Sequence, residues 1–408
     1  MSDDFKPVLR FAAFSDLHYK SPECINIQKF ERGLELLYSY ADGCEYKNVD
    51  AVCITGDFTD NGTLEQMLLM KQSLDKCVRP GTEIIITAAS HEHGTPEGEL
   101  TGMQAGEKRF AQVFKRPLNV HTVINGYHFI AVSCGQSCRF TDAHREYAAA
   151  ELKKASAENP KKAIFFFQHP HIRRTVYGSV AWGNDGLNTA LINYPQIIDF
   201  SGHSHAPVND PRNAHQKYFT SFGTGSMAYF ELDEFDKDDT VPPDSKTQAQ
   251  FLIVEADRDS RVRVLPFDVE SESFFDISFN VDTPWDPDSF IYTDERYCNP
   301  DRPYFESGAD IRVRQDGDGV ELCFSQAKSD TDGVNDYRLT LYNEDGNIVY
   351  QRAVWSGYYH KNMPERVSYK IGGLMNGSYR VRIFARGFWY NLSRDFLETE
   401  FTLQGKNS

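Results

Sequence analysis

The first half of the chain alternates between short, solid apolar runs and stretches with helical spacing. Val8 to Phe14 is an apolar run, Ile25 to Tyr40 carries apolar residues at helical intervals, and Val49 to Ile54 is a second run. Thr63 to Val78 is again helical, and Glu83 to Ala88 reads as a third strand. This order predicts parallel strands joined by crossover helices. Functional groups are then expected on the loops leaving the carboxyl ends of the strands.

Further along, Asn125-Gly126 sits between apolar runs within Thr122 to Val132, a strong hairpin signal. Thr141 to Ala157 reads as a helix with capping side chains at its start and Asn159-Pro160 at its end. Ala163 to Phe167 and Gln196 to Phe200 read as two more buried strands. After His205 the pattern turns β-rich, with short strands expected at Tyr218 to Ser221, Met227 to Glu231, Gln250 to Glu255 and Arg261 to Pro266. Glu231 to Lys246 is acidic and reads as a solvated loop.

Residues 271–302, rich in Asp, Pro and Ser, read as a linker between a domain at 1–270 and another at 303–408. In the latter, Asp310 to Arg314, Val320 to Ser325, Tyr337 to Tyr342, Ile348 to Val354, Arg366 to Ile371, Tyr379 to Ala385 and Glu398 to Leu403 alternate apolar and polar residues. Strands at this spacing predict a small antiparallel β-sandwich, which resembles a fibronectin type III-like module on pattern alone. Its Tyr358, Tyr359, Phe388, Trp389 and Tyr390 fit either a core or a binding face that takes a protein partner.

Composition narrows the function classes. The chain has 408 residues, 40% hydrophobic and 25% charged, enough to bury a sizeable core. A formal net charge of -16 argues against nucleic acid or an anionic membrane as partner. No run has the apolar length of a membrane span, and Met1-Ser2-Asp3-Asp4 lacks the basic start of a signal peptide, so a cytoplasmic protein is expected. The eight cysteines are scattered, consistent with reduced thiols. Cys134 and Cys138 lack a second pair nearby and read as small buried hydrophobes rather than as a metal pair. Asn391-Leu392-Ser393 matches a glycosylation acceptor that the expected compartment leaves unused.

The chemistry is concentrated in five clusters, each where an apolar run ends: Asp16-Leu17-His18, Gly56-Asp57-Phe58-Thr59-Asp60, Ser90-His91-Glu92, His169-Pro170-His171 and Gly202-His203-Ser204-His205. Oxygen and nitrogen donors from separate loops along one sheet edge are what a two-metal hydrolase needs, because no single segment surrounds two ions. Imidazole and carboxylate donors favour Mn²⁺, Fe²⁺ or Zn²⁺ over Ca²⁺ and Mg²⁺.

Together these clusters resemble the calcineurin-like metallophosphoesterase family, whose motifs run D-x-H, G-D-x-x-D, G-N-H-[D/E], H and G-H-x-H in this order. The resemblance spans roughly residues 8 to 270 and implies an α/β fold of two packed mixed β-sheets flanked by helices. It implies that Asp16, His18 and His205 bind a first divalent ion, that Asp57 bridges both ions, and that His169 and His203 bind the second. His91 would face the substrate phosphate, oriented by Asp60, while a hydroxide between the ions attacks phosphorus in line. Two divalent ions, two carboxylates and one hydroxide leave a net positive site that attracts a small anionic phosphate ester.

Position 90 departs from the family pattern. Ser90 stands where the family has the asparagine whose amide oxygen meets the second metal, so that site is expected to be weakened. His93, His171, Arg173 and Arg174 are further candidates for the rim, as are the segments from His93 to Met103 and from Tyr177 to Asn188. Two functions stay open: a phosphomonoesterase or phosphodiesterase, and a metal-binding, catalytically weak relative that acts through its β-sandwich as an interaction protein.

Overall fold

A computed structural model describes residues 4–232, 240–242, 244–298 and 300–404. Met1 to Asp3 and positions 233–239 and 243 of the acidic stretch lie outside the described residues. The chain forms two compact units, residues 1–233 with 243–293, and residues 234–242 with 294–408.

In the first unit the helical and strand patterns fold as read. The elements are β1 (Pro7–Phe14), α1 (Ile25–Gly43), β2 (Ala51–Ile54), α2 (Leu64–Cys77) and β3 (Glu83–Ile86). Thr63 caps α2 by accepting a hydrogen bond from the Gln66 amide. Next come α3 (Gly102–Phe114), the hairpin β4 (Val120–Ile124) and β5 (Tyr127–Ala131), then α4 (Asp142–Glu158) and β6 (Ile164–Phe167). Asn125 and Gly126 take the positive φ values, 49° and 77°, that a tight two-residue hairpin turn requires. The remaining strands are β7 (His171–Ile172), β8 (Gly183–Asn184), β9 (Ile197–Ser201), β10 (Ala214–Gln216), β11 (Thr220–Gly223), β12 (Gln250–Asp257), β13 (Val262–Asp268), β14 (Ser273–Phe274) and β15 (Phe279–Val281).

These strands build two mixed sheets, ordered β14-β13-β12-β1-β2-β3, with β15 also on β13, and β10-β11-β9-β6-β5-β4. β1, β2 and β3 run parallel, as do β5, β6, β9 and β11. β1 explains the layering. Its Leu9, Phe11 and Ala13 join Phe129, Phe165, Phe167 and Phe200 of the other sheet in one core, whereas Ala12 and Phe14 join Phe30, Leu34 and Met67 of α1 and α2. A strand covered on both faces needs a continuous apolar run. On the outer face of the second sheet, Ile130 and Phe166 pack against Ala148 and Leu152 of α4. The expected fold of two packed mixed sheets flanked by helices is therefore present.

Three expectations need correction. The helix α3 falls in a region without an expected element, although Thr101 and Gln104 form a reciprocal capping box there. Met227 to Glu231 is no strand, because its backbone serves the neighbouring loops: the Met227 amide donates to Ser15, and the Tyr229 carbonyl accepts from His205. The stretch read as a linker supplies β14 and β15, and its Phe275, Phe279 and Val281 complete the inter-sheet core. Apolar residues at 275, 277, 279 and 281 follow the period of a strand, a signal masked by the surrounding Asp, Pro and Ser.

In the second unit the expected strands are β16 (Ile311–Asp316), β17 (Gly319–Ser325), β18 (Asp336–Asn343), β19 (Ile348–Trp355), β20 (Arg366–Ile371), β21 (Gly377–Arg386) and β22 (Leu397–Leu403). They form antiparallel sheets ordered β16-β17-β20 and β19-β18-β21-β22, and inward residues of both share one core that includes Leu322, Leu339 and Ile383. In its aromatic group, Tyr358 meets Tyr359 and Phe388 edge to face, and Trp389 meets Tyr297. No helix among the described residues is long and apolar enough to cross a membrane.

Candidate metal centre

The clusters converge because the strand pairing of the first sheet continues into its loops. Beyond β1 and β2, the Asp16 amide donates to the Gly56 carbonyl, His18 to Asp57 and Tyr19 to Phe58. In the second sheet the Gly202 amide donates to the His169 carbonyl, which sets the β6 and β9 loops side by side. Two glycines let the loops meet. Gly56 has φ of 92°, and a Cβ there would lie 2.8 Å from Ala89 Cβ and 2.9 Å from His169 Cβ. A Cβ on Gly202 would collide with Ser15 Oγ at 1.7 Å.

The site residues adopt costly backbone conformations. Asp16, His18, Asp57, His203 and His205 all have positive φ, a state that costs of order 1–3 kcal/mol for a residue with a side chain. Such strain persists where surrounding contacts fix it. Asp16 Oδ2 accepts from Ser15 Oγ and from the His203 amide at 3.0 Å. Its other oxygen, Oδ1, is buried and has no hydrogen-bond partner. That atom faces three imidazole nitrogens: His205 Nε2 at 3.1 Å, His18 Nε2 at 3.8 Å and His169 Nε2 at 3.9 Å.

Two of these rings have their tautomer set by a carbonyl, which can only accept. His169 Nδ1 donates to the Thr55 carbonyl at 2.7 Å and His205 Nδ1 to the Tyr229 carbonyl at 3.1 Å. With Nδ1 so held, each ring turns its Nε2 toward the cluster, the arrangement in which a metal-binding histidine is held by its second nitrogen. Ring nitrogens face one another at 3.2 Å on both sides, His18 Nε2 against His205 Nε2 and His169 Nε2 against His203 Nδ1. Converging lone pairs around an orphaned buried carboxylate oxygen fit divalent cations of the transition series.

Asp57 stands between the two imidazole groups. Its Oδ2 is 2.9 Å from His169 Nε2 and 3.9 Å from His91 Nε2, and its Oδ1 accepts the His91 amide at 3.1 Å. Among the described residues, four overlapping sets each bring donor atoms within 4.8 Å of one another: Asp16, His18 and His205; Asp16, Asp57 and His169; His18, Asp60 and His91; and Cys138, His169 and His203.

The electrostatics follow from burial against charge. Burial works to raise the Asp16 carboxyl, but the surrounding imidazoles, His205 and His169 foremost, hold it well below the usual range. Asp57 is likewise held down against burial, chiefly by His169. Burial works to lower His169, and the Asp57 and Asp16 charges overcome it and raise the ring well above its ordinary value. Burial, reinforced by His205, lowers His18 to about 4.

His91, in the turn that follows β3, is partly exposed, as are Asp60 and His203. Its Nδ1 donates to the backbone carbonyl of Asp60 at 2.6 Å. The orienting contact expected from Asp60 thus comes from its main chain. The Asp60 carboxylate lies 4.0 Å from His18 Nδ1 and 3.4 Å from Lys20 Nζ. Ser90 precedes the turn and makes no side-chain capping bond.

Other candidates from the sequence turn away. His171 is buried between the hydroxyls of Ser201 and Ser204 at 2.8 and 2.7 Å, and His93 Nε2 bonds the Cys134 carbonyl at 3.1 Å. Arg173 is spent on Asp185 and on the carbonyls of Val180 and Gly183. Arg174 lies in an exposed cavity with Thr175 and Lys217. Within the segment from Tyr177 to Asn188, the Trp182 ring meets His203 edge on at 5.3 Å.

Three residues near the cluster have roles that the sequence does not assign. Glu92 is fully buried and ties the loops together: Oε2 accepts the amides of Asp57 and Ala89 at 3.1 and 2.8 Å, and Oε1 accepts the amide and hydroxyl of Thr59, both at 2.9 Å. Burial and the Asp57 charge push its carboxyl up to about 7 against those bonds. Tyr229 packs on His205 with ring centroids 4.4 Å apart. Cys138 Sγ lies 4.0 Å from His203 Nδ1. The Cys134 thiol and His203 act against burial to bring the Cys138 thiol down to about 4. The acid after His91 and the pair Cys134 and Cys138 carry some signal in the sequence, and Tyr229 carries none.

A cavity of about 660 Å³ opens at the other end of β1, lined by Phe5, Lys6, Tyr46 and Arg258 among others. It lies at the amino end of the parallel strands and gathers none of the clustered donors.

Residues 9–207 match the family described as calcineurin-like phosphoesterase. No curated protein matches its sequence. Among solved structures, the purple acid phosphatase PPD1 of yellow lupin (Lupinus luteus) seeds is 14% identical, covering 67% of this chain and 53% of that one with a TM-score of 0.49. The chain thus spans about half the length of that protein. A phosphatase of Mycoplasma pneumoniae is 12% identical over 67% of this chain and 93% of its own, with a TM-score of 0.32. Vps29 of Chaetomium thermophilum is 10% identical over 68% and 97%, with a TM-score of 0.29.

Proposed function

We propose that the protein hydrolyses a small phosphate ester, mono- or diester, at a centre of two divalent transition-metal ions. The single observation that carries this reading is the placement of Asp57. Its carboxylate lies between His169 and His91, in a group where Asp16 offers an unpaired buried oxygen and imidazoles converge from both sheets. Asp16, His18 and His205 would hold one ion, His169 and His203 the other, with Asp57 shared. Ser90 offers the second ion a shorter and weaker donor than an amide. Bound there, the ions supply Lewis acidity toward phosphate oxygens and lower the pKa of water. Mn²⁺, Fe²⁺ and Zn²⁺ all suit these donors.

The chain's own groups do the rest. The Thr55 and Tyr229 carbonyls keep protons on the Nδ1 atoms of His169 and His205, so Nε2 is the atom each ring would turn to an ion, an ion taking the place of the proton that Asp57 and Asp16 favour on His169. Ser15 and the His203 amide occupy Asp16 Oδ2 and leave Oδ1 available. His91 projects from the turn after β3 with Nδ1 fixed on the Asp60 carbonyl, so a doubly protonated ring offers the Nε2 proton to the leaving oxygen of an ester. The seven-strand unit is read as fibronectin type III-like from its three-plus-four sheet arrangement.

The test is hydrolysis of bis-p-nitrophenyl phosphate and p-nitrophenyl phosphate by the full chain, with Mn²⁺ and after chelation. Metal-dependent turnover of either ester is expected, and the preferred one decides between diesterase and monoesterase. A chain that binds the ions yet turns over neither ester, natural phosphate esters included, contradicts the enzyme and favours the binding protein.

A further inference from the structure

We propose that the Cys138 thiolate is a ligand of the second ion, replacing the donor that Ser90 cannot fully supply. The proposal rests on the two-metal reading above and specifies one of its sites. Its geometry has three parts.

First, Cys138, His169 and His203 place a sulfur and two imidazole nitrogens within 4.8 Å of one another. The sulfur is 4.0 Å from His203 Nδ1, which is itself 3.2 Å from His169 Nε2. Second, this group is continuous with the carboxylates. His169 also belongs to the group with Asp16 and Asp57, where Asp16 Oδ1 is fully buried and unpaired. Sulfur, two imidazoles and the Asp57 oxygen make four donors of mixed type, the number that Zn²⁺ takes in tetrahedral sites. Third, Cys138 is buried on the side of the loop that leads into Ser90. It packs with Cys134 against Ala89, the residue immediately before Ser90.

The loop that carries Cys138 is anchored from both sides. The Gly135 amide donates to the Arg139 carbonyl at 2.8 Å, and Asn184 Nδ2 donates to the Cys138 carbonyl at 2.9 Å. Cys138 is buried, 6% exposed as a residue. The sulfur binds as thiolate: a sulfur–metal bond forms, and any proton the sulfur still carries leaves to solvent. Two consequences follow. A thiolate favours Zn²⁺ or Co²⁺ over Mn²⁺ at this position, so the two sites differ in metal preference. The added negative charge also lowers the net positive charge of the centre and its pull on a dianionic phosphate.

The experiment is a Co²⁺ titration of the metal-free full chain followed by near-ultraviolet absorption, with bound metal counted at each step. In the wild type, a sulfur-to-cobalt charge-transfer band should grow with the second equivalent. It should be absent from Cys138→Ser and Cys138→Ala and retained in Cys134→Ser. Second-site affinity should fall about tenfold or more in Cys138→Ala and recover when Ser90→Asn is added. X-ray absorption of the Zn²⁺-loaded wild type should show a sulfur neighbour at about 2.3 Å, a reading that needs no variant. Two bound ions with neither band nor sulfur neighbour would overturn the thiolate and leave the two-metal reading standing. Failure to bind any divalent ion would overturn both.

Discussion

Glu92→Gln should weaken the site without touching any proposed ligand. The carboxylate accepts four bonds, two on each oxygen. An amide nitrogen in the Oε2 place would face two N–H donors, those of Asp57 and Ala89. In the Oε1 place it would face the Thr59 N–H and a hydroxyl that can rotate to accept. The second orientation is cheaper, yet it leaves one buried N–H unpaired, at about 1–3 kcal/mol. It also turns two charge-assisted bonds into neutral ones, at about 0.5–1 kcal/mol each. Removing a buried charge beside Asp57 returns part of this, so a net loss of about 2–3 kcal/mol is expected. Urea unfolding of the metal-free chain at pH 8 measures it, where a group displaced to about 7 is mostly ionised. Mn²⁺ affinity should fall by about 10–100-fold, as for other groups that orient ligands. A loss under about 0.5 kcal/mol with unchanged affinity would refute the view that Glu92 holds the Asp57 and Ala89 loops in place.

Asp199 in β9 is fully buried with Gln168 Nε2 at 3.3 Å, and burial pushes its carboxyl from 3.8 to about 7. A carboxyl raised on folding favours the folded state fully below the lower value, and that contribution is lost as pH rises to about 7. Asp199→Asn should therefore add about 2–4 kcal/mol at pH 8 and little at pH 4; equal shifts in thermal unfolding at both pH values would contradict this. Phe11 meets Phe129, Phe165 and Phe200 edge to face between the sheets. Phe11→Ala should cost about 3–5 kcal/mol in urea unfolding, and a loss below about 1.5 kcal/mol would mean that the inter-sheet core collapses around the gap.

Much of the fold was legible because both faces of β1, β2 and β6 are covered and each strand therefore reads as a solid apolar run. The histidines and aspartates were legible because each follows such a run. What the sequence hid depends on contacts between distant loops. Cys138 reads as an ordinary small hydrophobe until the β5 and β9 loops bring it beside His203. Glu92 stands in the sequence as a member of the Ser90-His91-Glu92 cluster with no role of its own, and only the meeting of the β2 and β3 loops surrounds it with donors. His171 carries the same chemistry as His169 two residues earlier, yet Ser201 and Ser204 satisfy both its nitrogens. Pairing of β14 and β15 with β13 was obscured by turn-forming residues between short strands, where local composition outweighs a two- or three-residue pattern.

The central claim is that the clustered loops form a hydrolytic centre in which His91 meets the substrate and binds no metal. The most direct measurement is Mn²⁺-supported ester hydrolysis by the wild type and His91→Ala, with bound metal counted in both. The account predicts wild-type turnover, a fall in kcat of about 10²–10⁴-fold in the variant, and unchanged metal content. Equal turnover in the two proteins, or loss of a metal ion with the imidazole, would contradict it.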